Sequence, residues 1–244
     1  AAAVVWVNVP ALARGTTFAM YWQSAAAAAK SVGAGGAWAS YVGVWHMNEP
    51  SGEPVADATG HNLTATPAGN ATAQMVAAAG PVGNARVNQT SAQHNRLLVP
   101  SYDAYGLGGA FTLSMYFKPT AANNWFRLAS RSEDYNNKAW FDVQNNSGKF
   151  AEYYVGNTKI TLPGAGQNVW THLTLAIDGT SLKAYVDGAG LDEATLQKAF
   201  VDNGKQFAIG GFSNGTEPSL TGLYDEVRLS KGAQSADYAV LAYQ

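Results

Sequence analysis

The stretch WTHLTLAID, residues 170–178, alternates with a period of two. Thr171, Leu173, Leu175 and Ile177 fall on one side, and Trp170, His172, Thr174 and Ala176 on the other. Successive side chains of a strand point to opposite faces of its sheet, so this segment reads as a β-strand with one strongly apolar inner face. Similar β-rich stretches are VVWVNV (4–9), TTFAMYW (16–22), YVGVWHM (41–47), FTLSMYFKP (111–119), FRLASR (126–131), AWFDVQ (139–144), KFAEYYVG (149–156), SLKAYVDG (181–188), QFAIGGF (206–212) and LYDEVRLS (223–230). Gly, Asn, Asp and Pro turns separate them, and strand centres recur roughly every ten residues through the C-terminal half. Strands do not alternate with helices, which argues against a parallel sheet. The pattern predicts an all-β fold: two antiparallel sheets packed as a sandwich, with strands between 111 and 188 forming much of both.

Helical signals are few. SAAAAAKS (24–31) reads as a short helix or a low-complexity linker. LDEATLQKA (191–199) reads as one or two helical turns, and QSADYAVLAY (234–243) as a short C-terminal helix. The Ala- and Gly-rich run from Ser24 to Ser40 separates two leading strands from the rest. The expected organisation is therefore residues 1–40 as leading strands and linker, the tail of a preceding domain, and 41–244 as the main domain.

Of the 244 residues, 47% are hydrophobic and only 13% charged, which provides for a sizeable core and disfavours disorder. Net charge is −2 and no basic run exceeds two residues, against a nucleic-acid or anionic-membrane partner. No apolar run approaches the ~20 residues of a membrane span. The absence of cysteine excludes disulfides, thiolate metal sites and a cysteine nucleophile. The chain opens without Met or a signal peptide, as a mature form or a piece of a longer protein does.

Three stretches carry a family likeness. VGVWHMNEPSGEPVADATGHNLTAT (42–66) resembles the opening strand and Asp-x-Ser/Thr-Gly turn of the LamG-like jelly roll of the concanavalin A-like lectin/glucanase superfamily. VWTHLTLAIDGTSLKAYVDG (169–188) resembles its central hairpin, and GLYDEVRLSKGAQSADYAVLAYQ (222–244) its closing strand and short helix. The leading VWVNVPALARGTTFAMYWQ (5–23) resembles the end of a bacterial domain of unknown function that precedes such jelly rolls in secreted and envelope proteins. The resemblance implies a bacterial protein that is secreted, periplasmic or at the cell surface.

The fold hosts many activities, so function must come from the site. The superfamily's laminarinase-type hydrolases carry a Glu-x-Asp-x-x-Glu strand, and retaining hydrolysis needs two carboxyls ~5–5.5 Å apart. SEDYN (132–136), FAEYY (150–154) and LDEAT (191–195) lack that spacing. His46, His61, His94 and His172 stand in no hydrolase or zinc motif. The expectation is a non-catalytic, lectin-like module. Sugars are held by aromatic faces and planar polar groups, and NNWFRLASRSEDYNNKAWFDV (123–143) is rich in both. The candidate carbohydrate-binding residues are Trp125, Arg127, Arg131, Tyr135, Asn136 and Trp140, with Asn137, Tyr153 and Tyr154 nearby. Core packing competes for each aromatic. The expected partner is a polysaccharide or glycan. The alternative is a structural or adhesive module with a protein partner and no sugar. His46 reads as a hydrogen-bonded structural histidine rather than a metal ligand.

LYDEVRLS leaves one question. Strict alternation puts Asp225 on the face of Leu223, Val227 and Leu229, aimed at the core. A buried carboxylate needs an arginine, backbone amides or a cation as partner. In the family resembled, the Asp of the closing strand and the Asp-x-Ser/Thr-Gly turn often hold a structural calcium ion. Carried over, the ligands are Asp57 and Asp225 through carboxylates and Gly60 and Asn62 through carbonyl oxygens, with Glu49 a weaker candidate. Calcium takes six to eight oxygens of these kinds. The other readings are that Asp57 hydrogen-bonds its own turn and that Asp225 accepts backbone amides.

Overall fold

The structure is a computed structural model. It describes residues 6, 36–70, 75–89, 94–100, 107, 109–121, 126–131, 141–146, 149–155, 158–162, 166–196, 199, 206–215 and 219–244, with backbone alone at 126, 141–162 and 191. The expected strands at 4–9 and 16–22 and the run at 24–31 lie outside the described residues, Trp6 excepted.

Two antiparallel sheets face each other, as the alternation predicts. The first has eight strands. In chain order they are β1 (Tyr41–Trp45), β3 (Met75–Ala79), β4 (Asn84–Asn88), β6 (Ala110–Pro119), β11 (Thr171–Asp178), β12 (Ser181–Val186), β13 (Ala189–Thr195) and β15 (Gly222–Lys231). Its spatial order is β13-β12-β11-β6-β15-β4-β3, with β1 added beside β15. The second has seven: β2 (Thr66–Ala68), β5 (Arg96–Val99), β7 (Phe126–Ser130), β8 (Phe141–Asn146), β9 (Lys149–Val155), β10 (Thr158–Leu162) and β14 (Phe207–Ile209), ordered β10-β9-β8-β7-β14-β5-β2. Among the described residues one helix, α1 (Ala236–Tyr243), follows β15.

Alternation fills the core. Phe111, Leu113, Met115 and Phe117 of β6 and Leu173, Leu175 and Ile177 of β11 all enter one buried cluster. The second sheet answers with Leu97, Val99, Leu128, Phe207 and Ile209, and Trp45 meets Phe207 across the gap at 5.7 Å between ring centroids. The Trp45 indole N–H donates to the Leu63 carbonyl at 2.8 Å, so the buried ring leaves no orphan donor. Two expectations need correction. Residues 191–195 form strand rather than helix, because β13 hydrogen-bonds to β12 from Ser181↔Thr195 to Val186↔Ala189. Pairing at a sheet edge overrides the helical leaning of a short Leu-Asp-Glu-Ala run. Short strands at 66–68, 75–79, 84–88, 96–99 and 158–162 also join the sheets, and the Ala, Asn and Arg content of 75–79 and 84–88 gives little strand signal.

The second correction concerns β15. It pairs with β6 along one edge, and its other edge is shared by β4 (Gly222–Tyr224) and β1 (Val227–Ser230). At the handover the register against β6 shifts between Asp225 and Arg228, and Glu226 takes a left-handed backbone with φ 48°. This is a β-bulge, one extra residue that reverses the face of everything beyond it. Tyr224, Val227 and Leu229 therefore face the core together. Asp225 pairs with Tyr116 and Arg228 with Ser114 on the opposite face. The strand does not aim its carboxylate at the apolar core.

Candidate functional site

The outer face of the eight-stranded sheet is polar and buried. Thr112, Ser114 and Tyr116 of β6, His172 and Thr174 of β11, and Asp225, Glu226, Arg228 and Ser230 of β15 are all at most 9% exposed. Part of the cover is α1. Ser235 caps it, accepting from the Tyr238 amide at 3.3 Å. The Tyr116 hydroxyl donates to the Tyr243 carbonyl at the helix end, and the Gln234 amide donates to Thr112 Oγ1 at 2.8 Å. Ala239 is the residue the helix buries. Trp6 and Trp38 cover more of the face, packing edge to face at 5.3 Å, with Arg228 4.7 Å from the Trp6 ring and 5.7 Å from that of Trp38.

At the centre is a buried ion pair. Glu226 Oε2 accepts from Arg228 Nη2 at 2.8 Å and Nε at 3.3 Å, and Oε1 lies 2.8 Å from His46 Nδ1. Burial pulls the Arg228 guanidinium down, but Glu226 more than offsets it and holds it above its ordinary range. His46 is thus a hydrogen-bonded structural histidine, and Trp6 stacks on it with 12° between planes.

Asp225 has backbone partners. Its carboxylate accepts from the Val82 amide at 3.1 Å and the Glu226 amide at 2.8 Å. Burial nevertheless pushes its pKa up to about 7, against the pull of those amides. His172 is pushed the other way, to about 3, by burial and then by the Arg228 charge. Its Nδ1 is buried without a partner, and its ring lies 4.5 Å from that of Tyr116. Burial also raises the Tyr116 phenol to about 12.

Beside this cluster opens a cavity of about 690 Å³. Trp6, Tyr116, Trp170, Arg228 and Tyr243 line it, together with the Gly80–Val82 turn and the end of α1. Lys118 lies 5.3 Å from the Trp170 ring. Sequence reasoning did not reach this place. The signal was partial: alternation put Trp170 and His172 on one face, but β-pairing supplied Tyr116, and only the bulge turned Arg228 and Asp225 to the same side.

The predicted metal residues divide between two networks. Asp57 Oδ1 accepts from the Val44 amide at 3.2 Å and the Thr59 amide at 3.0 Å, and Oδ2 accepts from the Leu63 amide at 3.2 Å. The Thr59 hydroxyl lies within 2.8 Å of both oxygens. Gly60 and Asn62 stand in the same turn with φ 84° and 61°. Asp57 and Asp225 have no hydrogen-bond donor in common among those described. Glu49 Oε1 accepts from the Ala56 amide at 2.9 Å, while its Oε2 is buried without a partner. Among the described residues no group of three or more His, Cys, Asp or Glu converges on one point. The donor types suit calcium, but an ion here has to share or displace amide bonds at Asp57 and Asp225; Glu49 Oε2 is the carboxylate oxygen with capacity to spare.

Of the predicted sugar-binding residues, Trp125, Tyr135, Asn136 and Trp140 lie outside the described residues. Arg127 and Arg131 are buried, at 3% and 0% exposure, and Arg127 lies 5.2 Å from the Phe212 ring.

Sandwich, register and closing strand together define a jelly-roll domain of lectin type. The chain belongs to the laminin G-type family of the concanavalin A-like lectin/glucanases superfamily, matched over residues 91–238. No curated protein matches it by sequence. Among solved structures it is similar to domain 4 of AbnA, an extracellular arabinanase from Geobacillus stearothermophilus, in complex with arabinotriose. That match has 20% identity and a TM-score of 0.64, and covers 84% of this chain and 98% of that one. It is similar also to the binding domain of botulinum neurotoxin serotype D, at 12% identity and TM-score 0.60 over 84% of this chain and 51% of that one. A Trypanosoma rangeli sialidase in complex with 2,3-difluorosialic acid matches at 16% identity and TM-score 0.62, covering 84% and 32%. At these identities the likeness is one of fold. Among the described residues no helix is long and apolar enough to cross a membrane.

Proposed function

We propose that the chain is a non-catalytic carbohydrate-binding module of a larger secreted or envelope protein. The observation that carries this reading is the likeness to an arabinanase domain matched over 98% of its length and solved with arabinotriose. A separate domain of this shape holds a neutral oligosaccharide there. The sequence supports the non-catalytic part, since it contains no Glu-x-Asp-x-x-Glu strand of the laminarinase type. The stretch 123–140 is the first proposed binding surface, through Trp125, Tyr135, Asn136 and Trp140, with the buried Arg127 and Arg131 the other residues of the expected set. A glycan array that includes arabinan, xylan and laminarin fragments tests the reading. Micromolar binding without release of reducing ends supports it. A blank array with specific capture of a protein favours the adhesive alternative, and turnover abolished by one Asp or Glu substitution overturns the non-catalytic part.

A structural calcium ion belongs to the proposal. Asp57, Asp225 and the carbonyls of Gly60 and Asn62 are its ligands, and the spare Glu49 oxygen supports a cation in this part of the molecule. An ion that binds only the native state stabilises it by mass action. Chelation should therefore lower the melting temperature by several degrees, and Asp225→Asn should remove most of that response. Identical melting in calcium and in chelator refutes the ion.

A further inference from the structure

We propose that the cavity between the Gly80–Val82 turn, Trp170 and the end of α1 is a binding site for a neutral oligosaccharide. The proposal rests on the carbohydrate-binding reading above but places a site away from the 123–140 loops. Its volume, about 690 Å³, lies within the ~300–1,000 Å³ of small-ligand clefts. The walls are aromatic: Trp6, Tyr116, Trp170 and Tyr243. Trp170 is half-buried, and Trp6 and Tyr243 are 37% and 43% exposed, so these rings meet solvent. An aromatic wall favours the C–H face of a sugar ring, and its hydroxyls then need planar polar groups.

Charge selects the class. Arg228 is the charged side chain in the wall, and Glu226 neutralises it at 2.8 Å. Asp225 accepts the amide of Val82, which also lines the cavity. With Arg228 paired to Glu226, the wall offers no unpaired charge to an anion or to a cation, and the nearby Lys118 ammonium is engaged over the Trp170 ring at 5.3 Å. A neutral polyol can accept from the guanidinium without disturbing the pair. The site is also composite. Trp6 stands 35 positions before Tyr41, the start of the first described strand, so residues far apart in the chain line one cavity.

The test is titration of the full chain with arabinotriose, xylotriose, laminaritriose and cellotriose, and with trigalacturonate as the anionic comparison. Affinity is read by calorimetry, and the indole N–H signals of Trp6 and Trp170 are followed by NMR. The expectation is that at least one neutral trisaccharide binds and shifts both indole signals, while trigalacturonate binds at least tenfold more weakly. Trp170→Ala should weaken binding about tenfold at unchanged melting temperature, and Trp6→Ala several-fold with a small loss of stability from its contacts with Trp38, His46 and Arg228. Lys183→Ala, at a half-exposed side chain outside both proposed surfaces, should leave this binding intact. If either cavity variant fails to fold, the indole shifts of the wild type still decide. Binding that leaves both indole signals and both cavity variants unaffected, but is lost in Trp125→Ala or Tyr135→Ala, overturns the cavity site and keeps the module reading. Preference for trigalacturonate overturns the neutral assignment. No binding of any neutral saccharide overturns the module reading and this site with it.

Discussion

Replacing Glu226 with Gln removes the only carboxylate bonded to Arg228 among the described residues while keeping its shape. Both side chains are buried, at 1% and 9% exposure, and the two hydrogen bonds between them are 2.8 and 3.3 Å. Breaking a buried pair strands a charge and costs about 3–5 kcal/mol. That is a large share of the ~5–15 kcal/mol a domain has. At about 2–4 °C per kcal/mol for a chain of this size, Glu226→Gln should lower Tm by about 10 °C. Arg228→Met leaves the carboxylate buried beside His46 and should cost a comparable amount. The double variant removes both charges, so it should recover most of the loss, with a coupling of about 3 kcal/mol in urea denaturation followed by Trp fluorescence. A second comparison isolates the backbone. Glu226 has φ 48°, so Glu226→Gly should be less damaging than Glu226→Ala by about 1 kcal/mol. Additive single and double variants would refute the coupled pair. Equal stability of the Gly and Ala variants would refute the strained bulge.

Other predictions concern the same face and its supports. In chelator, Asp225, raised to about 7, binds its proton in the folded chain before the unfolded one, so its contribution weakens stability as pH rises from about 4 to about 7. His172, lowered to about 3, stays neutral when folded, so its contribution strengthens stability as pH rises from about 3 to about 6.5. The two oppose each other, and Tm of the wild type should vary little with these groups between pH 4 and 6.5. Asp225→Asn should steepen acid loss and His172→Phe should turn the slope negative; parallel profiles for all three proteins would exclude the opposition. Asn88 is fully buried and donates through Nδ2 to the Leu220 carbonyl at 2.7 Å and Ser219 Oγ at 2.9 Å, so Asn88→Ala should cost about 2–3 kcal/mol in denaturant melts. Gly210 has φ 76°, and a Cβ there would stand 2.6 Å from the buried Tyr224 ring. Gly210→Ala should therefore cost about 3 kcal/mol, and a neutral result would mean that Tyr224 can move.

Period-two alternation carried most of the fold. Leu173, Leu175 and Ile177 were placed on the inner face from sequence, and they are in the core. The C-terminal helix and the structural role of His46 were legible for similar reasons, a local pattern with a local cause. Three things were not. Residues 191–195 are strand because β12 lies beside them, and pairing is invisible in a nine-residue window. The short strands such as Met75–Ala79 have weak intrinsic preference and owe their form to β4. The face of Asp225 depended on one inserted residue. A bulge changes no composition, yet it reverses every later side chain, so strict alternation failed at the position of greatest interest. The cavity was hidden because Trp6, Tyr116, Trp170 and Arg228 share no sequence neighbourhood.

The position of β15 also bears on how the chain acquires its structure. This strand joins β6 on one edge to β4 and β1 on the other, yet it is the last of the described strands to be synthesised. Until residue 231 emerges from the ribosome, β1 has no described partner strand, and the paired edges of β4 and β6 stand open. Such long-range pairing makes for slow folding and leaves strand edges exposed to other chains during the wait. The buried polar residues along β15 then act as a late check on register. A strand slipped by one place would turn Glu226 and Arg228 together toward the apolar core, away from His46, Trp6 and Trp38.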